Sequence, residues 1–266
     1  MKDTTMVCPH CASKNIIAYG KTNSGNIRYK CKSCLKTFTN DINSIFFNSH
    51  NQSPVWEAYV KSMLEGDTIR ESANKCGISL RTSFIWRHKI LDALSSKKDL
   101  LPLDGSYNIG TMYYKAFKSK HKEESVYMGI AVAINEKGES KSVLSSVNRV
   151  SPESVDKSLS SQIENSKETV SPHPEILRDL APHNKLKLCK PSGAKYKFKR
   201  IEQHKVDVYD FTKRFKGLSA KYLSNYLTWF DLRNKMNEDD LVKIISNIAF
   251  NERFEDVTDR PEVPDL

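Results

Sequence analysis

Two pairs of cysteines near the start of the chain constrain its fold more than anything else in the sequence. Cys8-Pro9-His10-Cys11 and Cys31-Lys32-Ser33-Cys34 are C-x2-C units separated by 19 residues. A C-x2-C turn brings two thiolates onto one knuckle, and zinc takes four soft ligands in a tetrahedron with Zn–S near 2.3 Å. Nineteen residues suffice for a hairpin that returns the second knuckle to the first. Asn23-Ser24-Gly25-Asn26 supplies its turn, and Ile27-Arg28-Tyr29-Lys30 its returning strand. So small a region buries too little apolar surface to fold alone, whereas structural zinc contributes on the order of 10–16 kcal/mol. The sequence therefore predicts a zinc ribbon over residues 1–48, with Cys8, Cys11, Cys31 and Cys34 holding structural Zn²⁺ in a closed, non-catalytic shell. His10 is left as a surface residue.

The other two cysteines, Cys76 and Cys189, stand alone and read as small buried apolar side chains. No secreted disulfide framework is visible, and the first residues lack the apolar core of a signal peptide. No run of 18 or more apolar residues occurs, which predicts no membrane span. A cytoplasmic protein is expected. The net charge of +10 favours a polyanionic partner, because each Lys or Arg on a phosphate releases a counterion. The charge is uneven: residues 185–235 hold 14 Lys/Arg against 4 Asp/Glu, and residues 236–266 hold 3 against 9.

Residues 53–96 carry helical periodicity throughout. Pro54–Leu64 is amphipathic, Thr68–Cys76 follows, Gly77 breaks it, and Ser79 caps a third helix, Leu80–Leu94. This is the spacing of a helix-turn-helix DNA-binding domain. On the third helix Leu80, Phe84, Ile85, Ile90, Leu91 and Leu94 are expected to face a core. Arg81, Thr82, Ser83, Arg87, His88 and Lys89 form the polar side. Arg81 and Thr82 are the candidates for reading base edges of double-stranded DNA, Ser83 lies beside them, and Arg87 and Lys89 are candidates for holding phosphates. The alternative is a three-helix bundle with a charged solvent face.

Residues 103–250 mix strands and helices, and 251–266 form an acidic tail. Ser106–Lys115 and Met128–Asn135 read as strands, and Lys141–Asn148 as the hairpin partner of the second. Ser151-Pro152 opens a helix to about residue 165. Pro174–Leu180 reads as a short helix, Leu186–Lys190 as a short strand, and Ala220–Phe230 and Asp239–Phe250 as helices. The fold class is α/β with small N-terminal modules. Lys195–Arg200 interleaves aromatics with bases. It reads either as a nucleic-acid channel or as a solvated strand with two core aromatics. Trp229 and Phe230 read as core.

The chain resembles the insertion-sequence DDE transposases that carry an N-terminal zinc ribbon and a helix-turn-helix. The similarity lies in Cys8–Cys11, Arg28–Cys34, Lys36–Thr39, Trp56, Arg70–Ala73, Gly77–Ser79, Phe84–Leu91 and Phe215–Phe230. The resemblance implies an RNase H-like domain at 103–250, a role in DNA recombination by transposition, and homo-oligomers on DNA. It also implies carboxylates that hold two Mg²⁺ or Mn²⁺ ions for strand transfer. Here the chain departs from the family. The opening strand reads Ser106-Tyr107-Asn108-Ile109-Gly110-Thr111, the second position falls within Glu168–His173, and the third, seven residues before Lys213, is Val206. Asp104, Asp179, Asp207 and Asp210 are nearby acids that could substitute. No residue is assigned a catalytic role. The expectation is a transposase-like DNA-binding protein without intact strand-transfer chemistry. The alternatives are an active transposase with a displaced acid set and a zinc-ribbon protein-interaction module.

Overall fold

A computed structural model of the chain describes residues 6–22, 27–39, 53–95, 105–117, 125–160, 166–177, 195–216 and 218–251. Over these the protein is mixed α/β. Strands β1 (Ile16–Lys21), β2 (Ile27–Cys31) and β3 (Thr37–Thr39) form an antiparallel sheet in that order. Its core is small and separate: Cys8, Cys31 and Phe38, flanked by Ile16, Tyr29 and Cys34.

Helices α1 (Ser53–Leu64), α2 (Ile69–Cys76) and α3 (Leu80–Ser95) follow. Their ends are written locally. Thr68 and Glu71 close a capping box on α2, and Gly77 ends it at φ 63°, a left-handed conformation that costs glycine nothing. The Ser79 hydroxyl then accepts the Thr82 N–H at 3.0 Å and caps α3.

The second sheet has the order β6-β5-β4-β7, from β4 (Gly105–Phe117), β5 (Ser125–Asn135), β6 (Ser140–Val147) and β7 (Ser166–Val170). The first three strands are antiparallel neighbours, and β7 runs parallel to β4. Strand β5 is apolar on both faces because both are covered. Ile130, Val132 and Ile134 join a large core with α5 (Lys195–Arg214) and α6 (Ala220–Lys235). Ala131 and Ala133 pack with Tyr107 and Ile109 against Val155 and Leu159 of α4 (Pro152–Leu159). Helix α4 starts at Ser151, as its Ser-Pro sequence predicts, with a Ser151–Ser154 capping box. A 3-10 turn covers Pro174–Leu177, and α7 (Glu238–Asn251) closes the described chain.

The large core runs across the boundary expected near residues 96–103. Trp56, Tyr59, Met63, Trp86, Ile90 and Leu94 of α1 and α3 belong to the same apolar cluster as Trp229, Phe211 and Ile130. The Ser95 hydroxyl also donates to Asn225 of α6 at 2.7 Å. One reading needs correction. Lys195–Arg200 is the start of α5, not a strand. Its alternation spans one short window, whereas the buried residues Ile201, His204, Val208, Phe211 and Phe215 follow a helical stripe. The expected strand Leu186–Lys190 lies outside the described residues.

Between the sheet and α5 and α6 sits a buried polar group. Asp231 accepts the Ser142 N–H at 2.6 Å and the Ser142 hydroxyl at 3.2 Å, and that hydroxyl lies 3.2 Å from His204 Nε2. Burial pushes the Asp231 carboxyl up to about 8, against the hydrogen bonds from Ser142 and Ser140. Burial also lowers His204 to about 4, against the charge of Asp207. Both side chains are therefore mainly neutral at pH 7. The stability tied to Asp231 is complete below its unfolded value and is lost as pH rises toward 8. That tied to His204 is complete above its unfolded value and is lost as pH falls toward 4. Of these two groups only Asp231 acts between about pH 6.5 and 8, weakening the fold by about 2 kcal/mol. Circular-dichroism melts of the wild type should shift downward over that window, and Asp231→Asn should remove the shift. Parallel profiles for the two proteins would contradict the assignment.

Candidate metal centre and candidate nucleic-acid interface

The two C-x2-C turns are built alike. The Cys8 N–H donates to the Ser13 carbonyl at 2.8 Å, and the Cys31 N–H donates to the Lys36 carbonyl at 3.0 Å. The residue after each second cysteine takes a left-handed conformation, Ala12 at φ 54° and Leu35 at φ 62°. The pairs are brought together by the β1–β2 pairing, in which Ile16 lies opposite Cys31. Cys8 and Cys34 sulfurs are 3.6 Å apart, as are those of Cys11 and Cys31, and all four sulfurs lie within 4.8 Å of one another. A zinc tetrahedron with Zn–S near 2.3 Å has sulfur–sulfur edges of about 3.8 Å. The four thiols fit that shell; the Cys34 and Ser33 backbone N–H groups outweigh burial and lower the Cys31 thiol, while burial and the neighbouring thiols raise that of Cys11. Among the described residues this is the one cluster of three or more His, Cys, Asp or Glu side chains placed to share a metal ion. His10 stays outside it, exposed.

The third helix is rotated from its expected phase. Its buried stripe is Ser83, Trp86, Arg87, Ile90, Leu91 and Leu94, and Leu80, Phe84 and Ile85 are 51%, 39% and 42% exposed. The stripe has ordinary helical spacing but contains the polar Ser83 and Arg87, and a third polar residue, His88, is buried beside it. Ser83 is buried because its hydroxyl donates to the Ile69 carbonyl at 2.7 Å and lies 3.0 Å from the Tyr59 hydroxyl. Arg87 is fully buried and donates to the Asp67 carbonyl at 2.8 Å and the Ser72 hydroxyl at 3.1 Å. Its guanidinium lies 6.0, 5.9 and 5.1 Å from the Tyr59, Phe215 and Trp229 ring centroids.

Of the five expected DNA contacts, two are taken up by bonds inside the protein. Ser83 and Arg87 are inside the protein. Thr82 bonds to the capping Ser79 at 2.8 Å. Lys89 is half-buried, and burial lowers its pKa. Arg81 alone is exposed at the start of α3.

Beside it lies a groove of about 1000 Å³ between the start of α2, the first half of α3, and the α5–α6 connection. Arg70, Arg214, Lys216 and Lys221 line it, together with Phe84, His88 and Tyr222. The sequence reading missed these cations, because they converge only when α6 packs on α3. Their one local signal was the basic excess ahead of the acidic tail.

No protein-family model matches this chain, and no similar sequence is found among curated proteins. Among the described residues no helix is long and apolar enough to cross a membrane.

The core around Cys8 and Cys31 is separate from the main one, so metal loss should be local. Metal analysis of the purified protein should find one zinc per chain. Cys31→Ser should abolish that zinc while leaving the main thermal transition in place. Retention of stoichiometric zinc by the variant would contradict a four-cysteine shell.

Proposed function

We propose that the protein binds double-stranded DNA through a zinc ribbon and a helix-turn-helix unit joined to an RNase H-like domain that does not cut or join strands. The observation that carries this reading is the contrast between a complete set of metal-binding cysteines and a carboxylate-poor sheet. Strand order β6-β5-β4-β7, with β7 parallel to β4, supports the RNase H-like assignment. On that sheet Asn108 of β4 pairs in register with Val170 of β7, and Val206 of α5 is 50% exposed. Asp207 and Asp210 are exposed on α5, and Asp207 accepts from Gln203 at 3.0 Å. Asp104 and Asp179 lie outside the described residues.

A fixed cation further weakens the case for divalent metals. Asn108 and Gly110 are two residues apart on β4 and share a face. A Cβ at Gly110 would sit 3.3 Å from Lys205 Nζ, so the ammonium lies directly over this strand. Lys205 pairs with Glu202 at 2.7 Å, and its side chain is only 15% exposed. A lysine held there repels a second cation and engages an adjacent carboxylate.

For duplex binding, Arg81 at the start of α3 is the remaining base-reading candidate. The ribbon adds an exposed Tyr19 with Arg28 and Lys30 at 6.0 and 5.1 Å from its ring. The test is fluorescence anisotropy with duplexes from the DNA flanking the gene, across a salt series. Affinity should fall steeply with salt. Arg81→Ala should weaken binding by about five-fold or more with an unchanged melting temperature. Arg87→Ala should instead lower the melting temperature, because it empties a buried aromatic seam. Salt-independent binding, or an Arg81→Ala variant with wild-type affinity, would count against this reading.

A further inference from the structure

We infer that the groove between α3 and α6 takes an unpaired stretch of a DNA strand, with bases against Phe84 and Tyr222 and phosphates on Arg70, Arg214, Lys216 and Lys221. The inference extends the DNA-binding reading, and rests on it in taking DNA as the polyanion. Charge complementarity selects the class of ligand. All four charged residues lining the groove are basic, and among the described residues none of them is in an ion pair.

Shape narrows the choice. At about 1000 Å³ the groove is far larger than a free anion needs, and lies at the upper end of roughly 300–1,000 Å³ for enclosed ligand sites. A duplex presents phosphates on a convex surface and keeps its bases stacked inside, so it cannot use a recessed aromatic lining. An unpaired strand offers both base faces and phosphates, and base stacking on aromatics is independent of sequence.

The aromatics are placed for this. Phe84 is 39% exposed, and Tyr222 is half-buried. His88 packs beneath them, its ring 3.8 Å from Tyr222 and 4.4 Å from Phe84, so both rings are held against a wall. Lys221 Nζ lies 5.8 Å from the Tyr222 centroid, which sets a cation beside a stacking surface. An exposed phenylalanine at the front of a helix is otherwise a liability, because it displays apolar surface to water.

The experiment uses the full chain purified with zinc and a fluorescein-labelled oligothymidylate, with a blunt duplex and a synthetic peptide of residues 252–266 as competitors. The oligothymidylate should bind. Tyr222→Leu, which keeps apolar bulk but removes the stacking ring, should weaken it by about five-fold or more, and Tyr222→Phe should not. Lys216→Glu with Lys221→Glu should weaken it further and flatten its salt dependence. Circular-dichroism melts identify any variant that misfolds, and the exposed Lys216→Glu change alone is the second readout. Wild-type affinity in Tyr222→Leu and in Lys216→Glu overturns the inference. So does tight binding of the acidic peptide to the groove with no binding of oligothymidylate. Duplex binding without oligothymidylate binding removes the groove assignment and leaves the duplex reading intact. Oligothymidylate binding that depends on Tyr222, without duplex binding, does the reverse.

Discussion

The burial of Arg87 organises the packing of α1, α2, α3 and α6. A guanidinium in an apolar core needs hydrogen-bond acceptors and charge stabilisation, and only Nη2 of Arg87 is hydrogen-bonded, Nε and Nη1 being buried with no acceptor. Here the backbone of Asp67, the hydroxyl of Ser72, and the rings of Tyr59, Phe215 and Trp229 supply that environment. Those groups come from α1, the α1–α2 loop, α2, the α5–α6 connection and α6. Holding this one side chain through Nη2 and the ring faces therefore ties α3 to five other segments. It also fixes the rotation of α3, and so decides that Phe84 and Arg81 look outward. The groove beside Tyr222 is a consequence of that rotation.

Much of this was legible in the residues. The spacing of Cys8, Cys11, Cys31 and Cys34 predicted a metal cluster, and their sulfurs converge. Capping residues Gly77, Ser79 and Ser151 located helix ends, because these signals act within one turn. The apolar run Met128–Asn135 marked a strand covered on both faces. The phase of α3 was not legible. Helical periodicity is read by assigning polar residues outward, and Ser83 and Arg87 break that rule through partners distant in sequence. The misplaced phase carried the expected phosphate contacts with it. The aromatic–basic start of α5 misled for another reason: a two-residue alternation over six residues cannot compete with a stripe that extends to Phe215. The cations of the groove converge through the packing of α6 on α3, which no local window contains.

Strand β4 carries Asn108 and no carboxylate, and Lys205 places an ammonium against the same strand at Gly110. The buried Asp231 is on the same side of the sheet, but Ser140 and Ser142 engage it, and burial favours its neutral form. It serves packing between β6 and α6. Under the proposed reading binding and chemistry are separable, because the cysteine cluster and the α3 surface share no residue with the acids of the sheet.

The most direct test of that separation is a strand-cleavage assay. Supercoiled plasmid carrying the DNA that flanks the gene is incubated with the protein and Mg²⁺ or Mn²⁺, and the same preparation is footprinted. Protection at discrete sites with no metal-dependent nicking or joining is the predicted result. Metal-dependent cuts at discrete ends, lost in Asp104→Asn or Asp207→Asn, would contradict it and make the protein a working strand transferase.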